Sequence, residues 1–183
     1  AEKSERRLAE RSPLDQIEID LAVAGTYYRQ GRNHDCVRRC KRVVDADPSG
    51  SLKPKLARAY YLIHVALTTA GDPEKSEYRT QALELYEELG DLGGQAKVLN
   101  NLGVDAFYEG RWDDAVRYYR ACLAIEEQLG VTAEVAASQA NIAEILVEQG
   151  RDLEAVELLE LCFDTSRAAR YTIGICFSQS LLG

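Results

Sequence analysis

The segment "LGVDAFYEGRWDDAVRYYRACLAIEEQLG", Leu102–Gly130, decides how this chain is read, because "IAEILVEQGRDLEAVELLELCFD", Ile142–Asp164, repeats its grammar with other letters. In both, apolar residues step by three and four up to a glycine, a short polar turn follows, and a second run with the same step begins. That periodicity marks two amphipathic helices joined by a tight turn. A helix pair used twice at a fixed interval predicts a repeat protein, whose function lies on a surface rather than in a catalytic centre.

The interval holds along the chain. Gly31, Gly71, Gly110 and Gly150 close similar helical stretches at separations of 40, 39 and 40 residues. Gly50, Gly90 and Gly130 fall at the other turn, with separations of 40 and 40. Glycine takes the left-handed cap conformation without steric cost, so each first-series glycine is expected to stop a helix, with Asp113 or Asp152 as the start signal of the next. The second helices then run through Ala115, Val116, Tyr119, Cys122, Leu123 and Ile125 in one unit, and through Ala155, Val156, Leu159, Cys162 and Phe163 in the next.

With these positions fixed, "NNLGVDAFYEGRWDDAVRYYRACL", Asn100–Leu123, resembles the tetratricopeptide repeat. Leu102 and Gly103 stand at its Leu-Gly pair, Gly110 at its turn, Trp112 just after it, Ala115 and Cys122 at its small positions and Tyr119 at its aromatic. Ala24, Tyr27, Gly31, Cys36 and Pro48 fit a first unit, and Ala143, Gly150, Ala155 and Cys162 a fourth; the second places His64 at the glycine position and slips near Pro73. Small residues suit these places because two helices approach closely only where neither presents bulk. The extra length, at "LGDLGGQA" and "LGVTAEVA", is similar to the longer variety in kinesin light chain, LGN-type adaptors and the regulatory halves of bacterial cyclases and LuxR-like activators.

The resemblance implies an all-α, right-handed solenoid of antiparallel helix hairpins, about four repeats plus a terminal capping helix. Its expected parts are a lead-in or the end of a preceding helix over 1–13, repeats over 14–50, 51–90, 91–130 and 131–170, and the first helix of a truncated fifth unit over 171–183.

Composition limits the function classes. At 46% hydrophobic and 28% charged, the 183 residues suffice for a sizeable core and are too apolar for disorder. No window approaches the ~18 consecutive apolar residues of a membrane helix, and "AEKSERRLAERSP" at the start lacks an apolar signal region, so a cytoplasmic chain is expected. The absence of methionine suggests a piece of a longer protein. Five cysteines, an odd number, point to reduced thiols. The net charge of -8 is polarised: residues 1–60 carry 13 basic against 9 acidic side chains, residues 61–183 carry 9 against 21. That balance argues against nucleic acid and against anionic membranes.

Four sharper motifs each have a plainer reading. Asp45, Asp47, Ser49 and Gly50 imitate the start of a calcium loop, but Leu56 stands where a bidentate Glu is required, so a hairpin turn is expected. His34, Cys36 and Cys40 share metal-ligand types, yet Cys36 falls at a small packing position, as Cys122 and Cys162 do. Arg38, Arg39, Lys41 and Arg42 form a basic run expected to be a solvated outer face. Two histidines about thirty residues apart, and a "GDLGG" without the Lys-Ser/Thr ending of a phosphate loop, give catalysis little to stand on. No catalytic residue, metal or cofactor is expected.

The resemblance implies a concave groove lined by the first helices. Its positions are Tyr28 and Arg29 in unit one; Arg58, Tyr61, Leu62 and Val65 in unit two; Lys97, Asn100, Asn101, Val104, Phe107 and Tyr108 in unit three; and Asn141, Glu144 and Val147 in unit four. Asn101 and Asn141 are equivalent, and an amide that both donates and accepts suits the backbone of an extended peptide. The family's chaperone clamp is disfavoured, since Leu21 and Gly25 stand where it needs Lys and Asn. The expected partner is therefore a protein or peptide, with a regulatory or homodimeric module acting through the terminal repeat surfaces as the alternative.

Overall fold

The computed structural model describes residues 12–47, 49–72 and 74–182, which fall in two compact units, Ala1–Asp91 and Leu92–Gly183. All the regular structure among the described residues is helical. The first unit holds α1 (Pro13–Arg29), α2 (Asn33–Ala46), α3 (Lys53–Ala70) and α4 (Lys75–Glu88); the second holds α5 (Leu92–Tyr108), α6 (Trp112–Leu129), α7 (Thr132–Glu148), α8 (Asp152–Ala169) and α9 (Thr172–Leu182).

Residues 1–11 of the expected lead-in, and the readings on Pro48 and Pro73, lie outside the described residues. Ser12 and Pro13, given to the lead-in by the sequence, instead start α1. Ser12 Oγ accepts from the Asp15 amide at 3.2 Å while the Ser12 amide donates to Asp15 Oδ2 at 3.1 Å, a reciprocal cap followed by Pro13 in the first turn.

The helix ends obey the glycine series. All seven glycines that the sequence singled out have φ between 64° and 73°. At Gly110 the chain turns left-handed, and the next amide, Arg111 N–H, reaches back to the Ala106 carbonyl at 2.8 Å; Arg151 does the same to Leu146 at 2.9 Å. The start signals differ from expectation. Arg111 and Arg151 occupy the N-cap positions, and Asp113 and Asp152 sit inside the first turn. Each arginine binds the acid three residues on, Arg111 to Asp114 and Arg151 to Glu154, both at 2.6 Å, and Arg32 binds Asp35 likewise. Acids in a first turn answer the exposed amides there.

In the first unit α1 packs on α2 and α3, α2 on α3, and α3 on α4. The core is built from Ile17, Leu21 and Ala24 of α1, Cys36, Cys40 and Val43 of α2, and Ala59, Leu62, Ile63 and Ala66 of α3. Beneath it, Asp20 is buried and its carboxylate is held by Arg39 at 2.6 Å and Arg42 at 3.3 Å. The basic run is thus not simply a solvated face. Arg39 and Arg42 neutralise a buried acid, while Arg38 pairs with Asp35 at 2.6 Å.

In the second unit the helices pack in sequence, α5 on α6, α6 on α7, α7 on α8 and α8 on α9, and α9 also reaches α7. Ala106, Ala115, Tyr119, Ile142, Ile145, Leu146 and Ala155 form one cluster. Ala115 and Ala155 are at most 1% exposed, as small positions at helix crossings must be. The recurring cysteines make the same contact: Cys122 Sγ lies 3.2 Å from the Ala96 carbonyl and Cys162 Sγ 3.3 Å from that of Ala136, each across its own hairpin. Both thiols pack as small apolar groups and hand their weak donor to the facing helix.

Candidate functional site

The groove positions that the sequence assigns to the second unit lie on α5 and α7. Gly103 shapes α5. A Cβ there would meet Cε1, Cδ1 and Cζ of Tyr119 at 2.7 to 2.8 Å, so the bare glycine lets the α6 ring lie flat against α5. Burial raises the Tyr119 hydroxyl above its usual pKa, and the nearby Glu144 and Tyr108 raise it further. Tyr119 therefore backs α5 at Gly103, a contact between two repeat positions that the sequence reading did not join.

Along α5, Lys97 is exposed, and Asn100, Asn101, Val104 and Phe107 are half-buried. Tyr108 stands 82% exposed with its ring edge-on to Phe107, centroids 5.6 Å apart. On α7, Asn141 and Glu144 are half-buried and Val147 is exposed. Asn101 Nδ2 is buried and has no hydrogen-bond partner. An amide nitrogen carries two N–H donors, and here neither has an acceptor.

The first unit presents a different face. Tyr28 and Arg29 of α1 are exposed, with Arg29 Nη2 3.3 Å from Thr26 Oγ1. Arg58 is exposed and Tyr61 half-buried, both near the buried Tyr86, whose hydroxyl burial pushes up to about 12. Leu62 and Val65, expected on the groove, are instead 8% and 5% exposed. Leu62 packs in the core, and its carbonyl accepts the Cys36 Sγ–H at 3.8 Å. The reason is sidedness: α3 is covered by α1, α2 and α4, so little of its circumference is left for a ligand. His64, at the place of Gly103, is fully buried, and its Nδ1 lies 3.4 Å from Thr68 Oγ1.

The other motifs resolve locally. Asp47 accepts from the Leu52 amide at 2.6 Å, the Ser51 amide at 3.2 Å and the Ser51 and Ser49 hydroxyls at 3.0 and 2.8 Å. These donors, the Leu52 amide foremost, hold its carboxyl below the usual range, so its oxygens serve the turn between α2 and α3. His34 is exposed while Cys36 and Cys40 are buried; the Cys36 contact and burial together keep the Cys40 thiol protonated. Among the described residues no three His, Cys, Asp or Glu side chains gather as a metal site would require. No described helix is long and apolar enough to cross a membrane.

The sequence model of the tetratricopeptide repeat matches residues 94–168. No curated protein matches the chain. Among solved structures, BtubC (BKLC) from P. vanneervenii is similar at 20% identity and a TM-score of 0.77, over 88% of this chain and 67% of that one. Aspartyl phosphate phosphatase F from Bacillus subtilis is similar at 14% identity and 0.87, over 93% of this chain, which spans 45% of the phosphatase. A Podosopora anserina protein described as a kinesin light chain with nearly identical TPR-like repeats is similar at 18% identity and 0.69, over 94% and 93%. These likenesses extend the helical-repeat fold to nearly the whole chain.

Proposed function

We propose that this chain, which carries tetratricopeptide repeats, is a protein-interaction module whose α5 and α7 face binds a peptide or protein segment. The observation that carries the reading is the buried, unpartnered Asn101 Nδ2. Leaving such a donor idle costs about 1–3 kcal/mol, which a peptide carbonyl recovers when the half-buried Asn101 side chain turns outward on binding. Asn141 repeats the amide one unit on, Phe107 and Tyr108 offer aromatic surface for a side chain, and Lys97 with Glu144 supplies one charge of each sign. An extended segment read through its backbone amides and one apolar side chain fits that set.

The test is a peptide selected by display on this chain and titrated calorimetrically against it. Asn101→Ala with Asn141→Ala should weaken binding ~tenfold or more while the melting temperature holds. Unchanged affinity in that double variant would sink the reading.

A second reading, a regulatory or oligomerisation module of a larger signalling protein, draws support from α9. Its eleven residues carry no charged side chain, and Ile173 is 71% exposed. Sedimentation distinguishes the two, since a self-associating module gains mass with concentration and Ile173→Glu abolishes the gain. The reading keeps the chain in a reducing, cytoplasmic compartment, supported by five unpaired thiols.

A further inference from the structure

The α5 and α7 stripes match at one end and differ at the other. Asn101 and Asn141 hold equivalent places, but one turn on, Val104 of α5 is answered by Glu144 of α7, and Tyr108 by Glu148. The earlier units have Gly25 and Val65 at the place of Glu144, and Arg29 and Thr69 at that of Glu148. The repeat therefore folds without an acid here. Glu144 is half-buried, Glu148 is exposed, and neither carboxylate meets a basic side chain among the described residues.

Their setting makes two unpaired acids costly. Both α5 and α7 end at this level with no basic residue in the last turn. The last carbonyls of a helix carry partial negative charge, which a nearby acid aggravates and a cation relieves. The arginines that follow the two helices are already taken, Arg111 by Glu109 and Asp114 at 2.7 and 2.6 Å, and Arg151 by Glu154 at 2.6 Å. Lys97, the basic residue of α5, stands eleven residues before Tyr108, about 16 Å along the helix.

Aromatic rings complete the place. Tyr108 is 82% exposed, with its ring edge-on to Phe107. Phe107 and Tyr119 pack in one cluster with Ile145, the neighbour of Glu144. After burial, Glu144 and then Tyr108 are what raise the Tyr119 hydroxyl, so these three groups lie together. The face of an aromatic ring is electronegative and attracts a cation laid over it.

We infer that the unpaired Glu144 carboxylate, the exposed Tyr108 ring and the two helix C-termini form a cation site, which selects a lysine or arginine side chain in the segment bound. The inference rests on the α5 and α7 face being the binding surface. The cationic head sits between Glu144 and the ring of Tyr108, with Glu148 adding to the attraction from the rim. An extended segment advances ~3.3 Å per residue, so the ~10 Å of helix from Asn101 to Tyr108 puts the basic residue about three places from the one whose carbonyl Asn101 binds.

The probe is a library of random linear peptides displayed on phage, selected in parallel on the full chain and on its Glu144→Gln variant. The parent should enrich lysine or arginine at a fixed place, and the variant should lose that enrichment. With the best parent peptide labelled for anisotropy, Glu144→Gln should weaken binding ~tenfold and reduce its salt dependence. Tyr108→Ala should weaken it ~twofold to fivefold, and Tyr108→Phe, which keeps the ring, should restore most of that loss. Glu144→Lys should bind the peptide whose basic residue is changed to Glu in preference to the original. Glu144→Gln should leave the melting temperature no lower, because it removes an unpaired acid one turn from a helix C-terminus. Peptides that depend on Asn101 and Asn141 yet show no basic preference, no response to Glu144→Gln, or a lowered melting temperature in that variant would overturn the cation site alone. Recovery of no peptide, or of peptides indifferent to Asn101→Ala with Asn141→Ala, would overturn the binding face and the cation site together.

Discussion

The ring of Tyr119 occupies the space that a side chain on Gly103 would need, with three ring atoms 2.7 to 2.8 Å from where the Cβ would stand. Replacing a mid-helix glycine by alanine normally stabilises a helix by ~1 kcal/mol. Here the overlap opposes that gain. Tyr119 is 4% exposed and wedged among Ala106, Ala115, Ile142 and Ile145, so it has little room to retreat, and overpacking costs ~1–3 kcal/mol. Gly103→Ala is therefore expected to lower stability by ~1 kcal/mol in urea titration. A gain in stability would show that the ring moves freely.

Arg170 sits at φ 54°, the positive-φ residue among the described non-glycines, at the place forty residues beyond Gly130. A side chain in that conformation costs ~1–2 kcal/mol, part of which glycine's extra unfolded-state freedom cancels. Arg170→Gly should raise stability by ~0.5–1 kcal/mol, and Gly130→Ala should lower it by a similar amount. Opposite signs for the pair in thermal melts check the assignment.

Asp20 is buried against two arginines, Arg39 at 2.6 Å and Arg42 at 3.3 Å. Removing either leaves the carboxylate one partner, whereas removing both leaves a buried charge unpaired, at ~3–5 kcal/mol. Arg39→Ala and Arg42→Ala should each be mild and together cost more than their sum. An additive double-mutant cycle would contradict this shared role.

Asp47 is held below the usual carboxylate range, first by the Leu52 amide. A depressed carboxyl stabilises the fold above its unfolded pKa of ~3.9, and that contribution is lost as pH falls through the lower folded value. Asp47→Asn should destabilise the chain at neutral pH and flatten the loss of stability on acidification. Parallel acid limbs for the variant and the parent, measured by helical circular dichroism, would refute it.

Four cysteines are buried and Cys176 is exposed; burial, then Glu126, pushes the Cys122 thiol up to about 12. Ellman's reagent should find a single fast thiol in the native chain and all five after denaturation, with Cys176→Ser removing the fast phase. A second fast thiol would mean that a hairpin opens readily.

The sequence by itself determined where helices end and which positions must be small. Those are local matters: Gly31, Gly71, Gly110 and Gly150 turn left-handed because they lack a Cβ, and Ala115 and Ala155 are buried because helices cross at them. The period also carries the left-handed site at Arg170, although the residue there gives no sign of it. Tertiary structure decided which face remained open. Leu62 and Val65 went to the core because three helices surround α3, Asp20 drew Arg39 and Arg42 from another helix, and Asn101 kept an idle donor where its equivalence to Asn141 said nothing of partners. Backbone sterics act over a few residues and can be read from them, whereas covering a face or satisfying a buried charge depends on side chains distant in sequence.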